Sequence, residues 1–199
     1  EPGGAVAATA LLTKKVNVKN KNIVVMISGG NIDYKLFLIL SEKQIKDRIN
    51  EIGIELSKKF TNEVPIFIGI LNGSFIFLAD LLRVMTINCE MDFLKLGSYS
   101  AEKSSGTVRL LKDISADITD RHVVVVEDIV DSGLTLRFLK KRLKGAKPKS
   151  LMFVSLLFKP DIAKLDFPID IVGFEIPPEF VVGYGLDYNQ KFRHLPAIY

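Results

Sequence analysis

Val123–Thr135, VVVVEDIVDSGLT, is the stretch from which the fold is read. Four consecutive valines form a buried type of β-strand. The strand is expected to end in two adjacent carboxylates, Glu127 and Asp128, after which a short turn holding Asp131, Ser132, Gly133 and Thr135 leads into a helix. A helix N-terminus collects backbone N–H groups that the helix leaves unpaired, and Gly133 lets a backbone approach a ligand closely, so the turn has the chemistry of a phosphate site. Two carboxylates beside a phosphate would repel it. They are better explained as partners of sugar hydroxyls, or of magnesium carried in with the substrate. Asp131 sits inside the anion pocket, where it could exchange a proton with a ligand. Read generically, the same residues would only end a strand and cap a helix.

Outward from this string, strand and helix patterns alternate. Ser41 followed by Gln44 is a capping-box pattern, and Ile45, Ile49, Ile52, Leu56 and Phe60 recur at helical spacing, predicting an amphipathic helix over 42–60. Pro65 introduces the strand IFIGIL (66–71), NGS breaks it, and FIFLADLLR (75–83) reads as a second helix. CEMDFLKL (89–96) returns to strand. GSYSAEKSSGTVRLLKD (97–113) is either a surface hairpin or a mobile loop. After HVVVV (122–126) come the helical TLRFLKKRLKG, closed by Gly145 and Pro148, and the strand SLMFVSLLF (150–158). The alternation argues for an α/β domain with a mostly parallel central sheet flanked by helices, and such sheets bind ligands beyond the carboxyl ends of their strands.

Composition narrows the class. With 199 residues the chain fits one domain with a substantial core, and 48% hydrophobic with 25% charged residues excludes disordered and collagenous proteins. The single cysteine, Cys89, closes no intrachain disulfide and builds no zinc site, which suits a reducing, cytoplasmic compartment. The longest apolar runs, Val64–Leu71 and Leu151–Phe158, are strand-sized, so no membrane span is expected. Residues 1–30 are expected to be a leader-like, non-catalytic extension, in which Ile23–Ile27 could add an edge strand, with 31–199 forming the domain. The net charge of +4 suggests an anionic partner, but Lys14, Lys15, Lys19 and Lys21 against Glu1 put +3 of it in that extension.

The string at 123–136 is the phosphoribosyl pyrophosphate motif. Together with LNGSFIFLADLL (71–82), DFLKLGSYS (92–100), SLLFKP (155–160) and VGFEIPPEFVVGYGLDYNQKFRHLP (172–196), it makes residues 34–199 resemble the hypoxanthine-guanine phosphoribosyltransferases, particularly the bacterial ones. The resemblance implies the type I phosphoribosyltransferase fold, with a small hood subdomain and a mobile active-site loop. It implies transfer of a phosphoribosyl group from phosphoribosyl pyrophosphate, with Mg2+, to a 6-oxopurine, in a homodimer or homotetramer.

By the same resemblance, Asp131, Ser132, Gly133, Leu134 and Thr135 cradle the 5'-phosphate, and Asp131 is the general base. Glu127 and Asp128 address the ribose and metal side. Lys159 donates to the purine O6, since an ammonium carries donors only and suits a carbonyl rather than an amino group. Phe180 stacks on the base, Val181 offers backbone groups to its edge, and Asp187 serves the purine side and a magnesium. Arg193 reaches the pyrophosphate, which Asn72 and Gly73 also bind, in a turn that in this family often has a cis peptide between its first two residues. Ser98 and Tyr99 open the lid loop. Leu134 falls where some relatives carry Lys, and Asn72 where many do.

Other readings compete. A phosphoribosyl pyrophosphate-sensing regulator that binds nucleic acid would use the seven Lys and Arg of Arg137–Lys149, but Leu136, Leu139 and Leu143 predict an inner face with the cations in water. Nucleic acid is therefore not the expected partner. A receiver domain is excluded by the three-residue spacing of Asp128 and Asp131. Adenine and orotate transferases lack the Lys159 and Phe180–Arg193 arrangement.

Overall fold

The computed structural model describes residues 38–98 and 108–199. The expected leader, the possible strand at Ile23–Ile27, and Tyr99 lie outside the described residues; of Ser98 only the backbone is described.

Six strands form one sheet: β1 (Ile66–Leu71), β2 (Glu90–Ser98), β3 (Val108–Lys112), β4 (His122–Val130), β5 (Ser150–Phe158) and β6 (Ile171–Glu175). Their order is β3-β2-β1-β4-β5-β6, and every pairing is parallel except β2 with β3. β2 and β3 thus pair as antiparallel neighbours, and residues 99–107 between them lie outside the described residues.

Side-chain alternation along the strands splits the core into two layers. Val124 and Val126 of β4 join Phe67 of β1 against α1 (Glu42–Lys59) and α2 (Phe75–Val84). Val123 and Val125 join Ile66 and Ile68 against α3 (Leu134–Lys144). Each fully buried Val or Ile contributes roughly 1.5–3 kcal/mol, so both faces of the central strands must be covered, which explains their uninterrupted apolar runs. α1 starts as its sequence predicts, with the Ser41 side chain accepting from the Gln44 N–H and the Gln44 side chain accepting from the Ser41 N–H. Ile45, Ile49, Ile52 and Leu56 are buried. In α3, Leu136, Leu139 and Leu143 are buried as expected, Arg142 pairs with Asp113, and Lys140 lies over the Phe167 ring. The basic surface of α3 is thus in part engaged within the chain itself.

One expectation needs correction. β4 does not end in its acids: it runs on past Glu127 and Asp128 to Val130. β5 holds this extension in place, with Glu127 opposite Ser155, Ile129 opposite Leu157 and Val130 opposite Phe158. β1 pairs with β4 only as far as Val126, opposite Gly69. A crevice therefore opens between the carboxyl ends of β1 and β4, where the strand order reverses, and Asp128 faces it from inside a strand.

The turn-rich segment 176–199 closes over this end. It is tied down by Leu40 bridging Ile198, and Tyr199 pairs back onto Val182 within it.

Candidate active site

Two cavities flank the end of β4. The larger, of about 320 Å³, takes Asn72 and Gly73 from the turn after β1, Asp128 and Asp131 from β4 and its turn, and Lys159 from the end of β5. Its remaining wall is the C-terminal segment, through Phe180, Val181, Asp187 and Arg193. The smaller, of about 80 Å³, is lined by Glu127, Asp131, Ser132, Gly133 and Thr135. Strand alternation separates the two acids: Glu127 projects to the face of Val125 and Leu136, and Asp128 to the opposite face, against Gly73. Asp131 and Ile129 line both cavities.

The small cavity is a helix N-terminus. Gly133 caps α3 at φ 78°, a left-handed conformation that glycine adopts without a Cβ penalty. The first intrahelical bond runs from the Arg137 N–H to the Gly133 carbonyl, so the helix leaves the preceding N–H groups unspent. The Leu134 side chain is half-exposed and does not line the cavity. Its backbone belongs to the N-terminal turn all the same.

The larger cavity depends on close backbone approach. The peptide bond between Leu71 and Asn72 is cis, the isomer that the resemblance predicts. A Cβ on Gly73 would fall on the Asp128 carboxylate, and one on Gly185, at φ 97°, would fall on the Gly73 carbonyl. Only glycines allow the β1 turn to lie between β4 and the C-terminal segment.

Charge is concentrated around these contacts. Lys159 is 6% exposed, and its Nζ donates to Asp131 Oδ2 at 3.4 Å; a lysine this buried ordinarily has a partner. Asp187 Oδ1 pairs with Arg193 at 2.6 Å, Asp187 Oδ2 accepts from the Gln190 N–H, and Arg193 also donates to the Gly185 carbonyl. Burial pushes the Glu127 carboxyl well above the usual carboxylate range, and the adjacent Asp128 adds to the effect. Glu127 Oε2 is buried without a hydrogen-bond partner. Burial also raises Asp128 to about 6, opposed by its own and Ile129's backbone N–H groups and by the nearby Arg193. Phe180 is 70% exposed, its ring meeting Tyr188 edge-on at 5.9 Å, while Val181 is buried.

Among the described residues, no three His, Cys, Asp or Glu side chains converge on a metal site. Asp128 and Asp187 still line one cavity. Two carboxylates suit a magnesium that brings phosphate oxygens with it, because Mg2+ commonly binds through one or two carboxylates plus substrate phosphates.

All the expected site residues with described side chains therefore gather at one end of the sheet. Sequence reasoning missed Ile129, which reads as strand core, and Tyr184, whose hydroxyl donates to Asp80 of α2 at 2.6 Å. No local pattern signals a contact across 104 residues.

Comparison with known proteins agrees with this geometry. Residues 39–189 match the model of the phosphoribosyl transferase domain family. A hypoxanthine-guanine phosphoribosyltransferase of Bacillus subtilis is 42% identical over 162 residues, covering 81% of this chain and 90% of the relative. A hypoxanthine phosphoribosyltransferase of Buchnera aphidicola is 46% identical over 164 residues, covering 81% and 93%. A solved hypoxanthine-guanine phosphoribosyltransferase structure from Bacillus anthracis is similar with a TM-score of 0.78 at 44% identity, covering 81% of this chain and 96% of that one.

Proposed function

The chain belongs to the hypoxanthine-guanine phosphoribosyltransferases, and from that premise we propose that it joins hypoxanthine or guanine to phosphoribosyl pyrophosphate, giving the nucleoside 5'-monophosphate and pyrophosphate. It is a pentosyltransferase of purine salvage. The observation that carries the residue assignments is the position of Asp131, shared by a helix-N-terminal cavity suited to a phosphate and a larger cleft holding Lys159 and Phe180.

In this reading the 5'-phosphate lies on the backbone N–H groups of residues 132–135, with Leu134 contributing its amide alone. The purine enters the cleft against the exposed Phe180 ring, with the Val181 backbone at its edge. A 6-oxopurine bears an acceptor, O6, next to N7, which carries a proton when N9 is free to attack. The Lys159–Asp131 pair matches that edge: the ammonium donates to O6 and the carboxylate accepts from N7. Lys159 also orients the Asp131 carboxylate. As N9 bonds to the anomeric carbon and pyrophosphate leaves, the N7 proton passes to Asp131, whose charge offsets the positive charge developing on the sugar and base.

Arg193 and the Asn72–Gly73 turn hold the leaving pyrophosphate, with Asp128 and Glu127 toward the ribose and metal side. Asp187 and Asp128 would hold magnesium, which when bound neutralises the leaving group. The cytoplasmic setting and a homodimer or homotetramer are part of the same proposal; no described helix is long and apolar enough to cross a membrane.

The test is an absorbance assay with hypoxanthine, guanine and adenine as acceptors of phosphoribosyl pyrophosphate in Mg2+. Turnover of the two 6-oxopurines and not adenine is expected. No turnover, with tight nucleic-acid binding instead, would reverse the reading.

A further inference from the structure

Residues 183–187 take an unusual path. Gly183, Tyr184 and Gly185 have φ of 99°, 48° and 97°, three consecutive left-handed residues, the middle one bearing a large side chain. Left-handed φ disfavours a bulky residue, so the rest of the fold must hold Tyr184 there. The path brings Gly185 against the Gly73 carbonyl, and it presents the Gly185 carbonyl to Arg193 at 2.7 Å. Two residues on, Asp187 pairs with the same arginine.

Tyr184 ties this loop to α2. It is 5% exposed, and its hydroxyl donates to Asp80 Oδ2 at 2.6 Å. Asp80 lies in the second turn of α2, the helix that begins at Phe75 directly after the Asn72–Gly73–Ser74 turn. The other Asp80 oxygen accepts from Arg83, whose side chain is largely in water. Burial and Asp80 both raise the phenol pKa, so the hydroxyl stays a donor throughout the working pH range.

We propose that Tyr184, through Asp80, is a positioning residue: it sets the distance between the turn at Asn72–Gly73 and the loop carrying Asp187 and Arg193, and so shapes the pyrophosphate half of the cleft. Neither side chain lines the cleft. This rests on the reading above that these two segments face the pyrophosphate. Lys159 follows β5 and takes no part in this tie, so the contact to the purine O6 is set apart from it.

The experiment measures steady-state kinetics for Tyr184→Phe, Asp80→Ala and Asp80→Asn. Tyr184→Phe keeps the ring in its apolar seat and removes only the donor. It should raise KM for phosphoribosyl pyrophosphate about tenfold while KM for hypoxanthine and kcat stay within about twofold. Asp80→Ala should behave the same way, and combining it with Tyr184→Phe should add nothing further. Asp80→Asn retains an acceptor for the phenol once Arg83 turns to water, and should restore near-normal kinetics. An unchanged KM for phosphoribosyl pyrophosphate in Tyr184→Phe, equal rises in both KM values, or an Asp80→Asn as impaired as Asp80→Ala overturns the positioning role. Absence of turnover by the unaltered protein overturns the proposed function itself.

Discussion

The two cavities beside β4 are built in opposite ways. The small one is lined by a single contiguous stretch, residues 127–136, whose strand, turn and helix supply its walls. The large one draws on four stretches, at 72–73, 128–131, 159 and 180–193, that meet only because the sheet and the C-terminal segment bring them together. Contiguity makes a site legible and mechanically independent. Assembly makes it specific and dependent on remote contacts. Asp131 belongs to both.

That difference can be broken or sharpened by substitution. The largest effect is expected at the shared residue: Asp131→Asn should lower kcat by about a thousandfold with both KM values changed by less than about threefold, because proton acceptance belongs to the transition state. Unchanged turnover would remove Asp131 from the base role. Lys159→Ala should injure the assembled cleft alone, raising KM for hypoxanthine about thirtyfold and relaxing rejection of adenine, with KM for phosphoribosyl pyrophosphate nearly constant. Gly133→Ala should do the reverse. An alanine at φ 78° is strained and its Cβ would press on Leu165, so KM for phosphoribosyl pyrophosphate should rise about tenfold and that for hypoxanthine hardly at all. If either variant moved both KM values together, the two cavities would not be separate units.

The smallest effect concerns the acids between them. Burial raises Asp128 from 3.8 to about 6 and lifts Glu127 well above its ordinary value. Both folded values lie above the unfolded ones, so the unfolded chain ionises first. The contribution to stability is intact below about pH 4 and is lost as pH rises through 6 and beyond. For Asp128 this amounts to about 3 kcal/mol. Glu127→Gln should therefore raise Tm by several degrees at pH 8 and leave it unchanged at pH 4. Equal shifts at both pH values would mean that packing, not ionisation, sets the difference.

Legibility followed the same division. The capping box at Ser41, the helical spacing of α1 and the buried strands β1, β4 and β5 could all be read, because each is stated by neighbours within four residues. The end of β4 could not. Glu127 and Asp128 look like the close of a strand, yet β5 keeps them in extended conformation after β1 has turned away. Asp187 and Arg193 were each identified as candidates, but their pairing depends on the left-handed turn at 183–185. Tyr184 and Asp80 carried no signal, since a 104-residue separation leaves nothing local to see.

By itself the sequence determined the alternation of strand and helix and the helix-N-terminal turn at 131–135. These follow from propensity, periodicity and capping, which act over a few residues. Tertiary structure alone decided where β1 leaves β4, which face each acid takes, and how Gly73, Asp128 and Gly185 stack. Those depend on backbones meeting at van der Waals distance from distant parts of the chain, and only the packed sheet sets such distances.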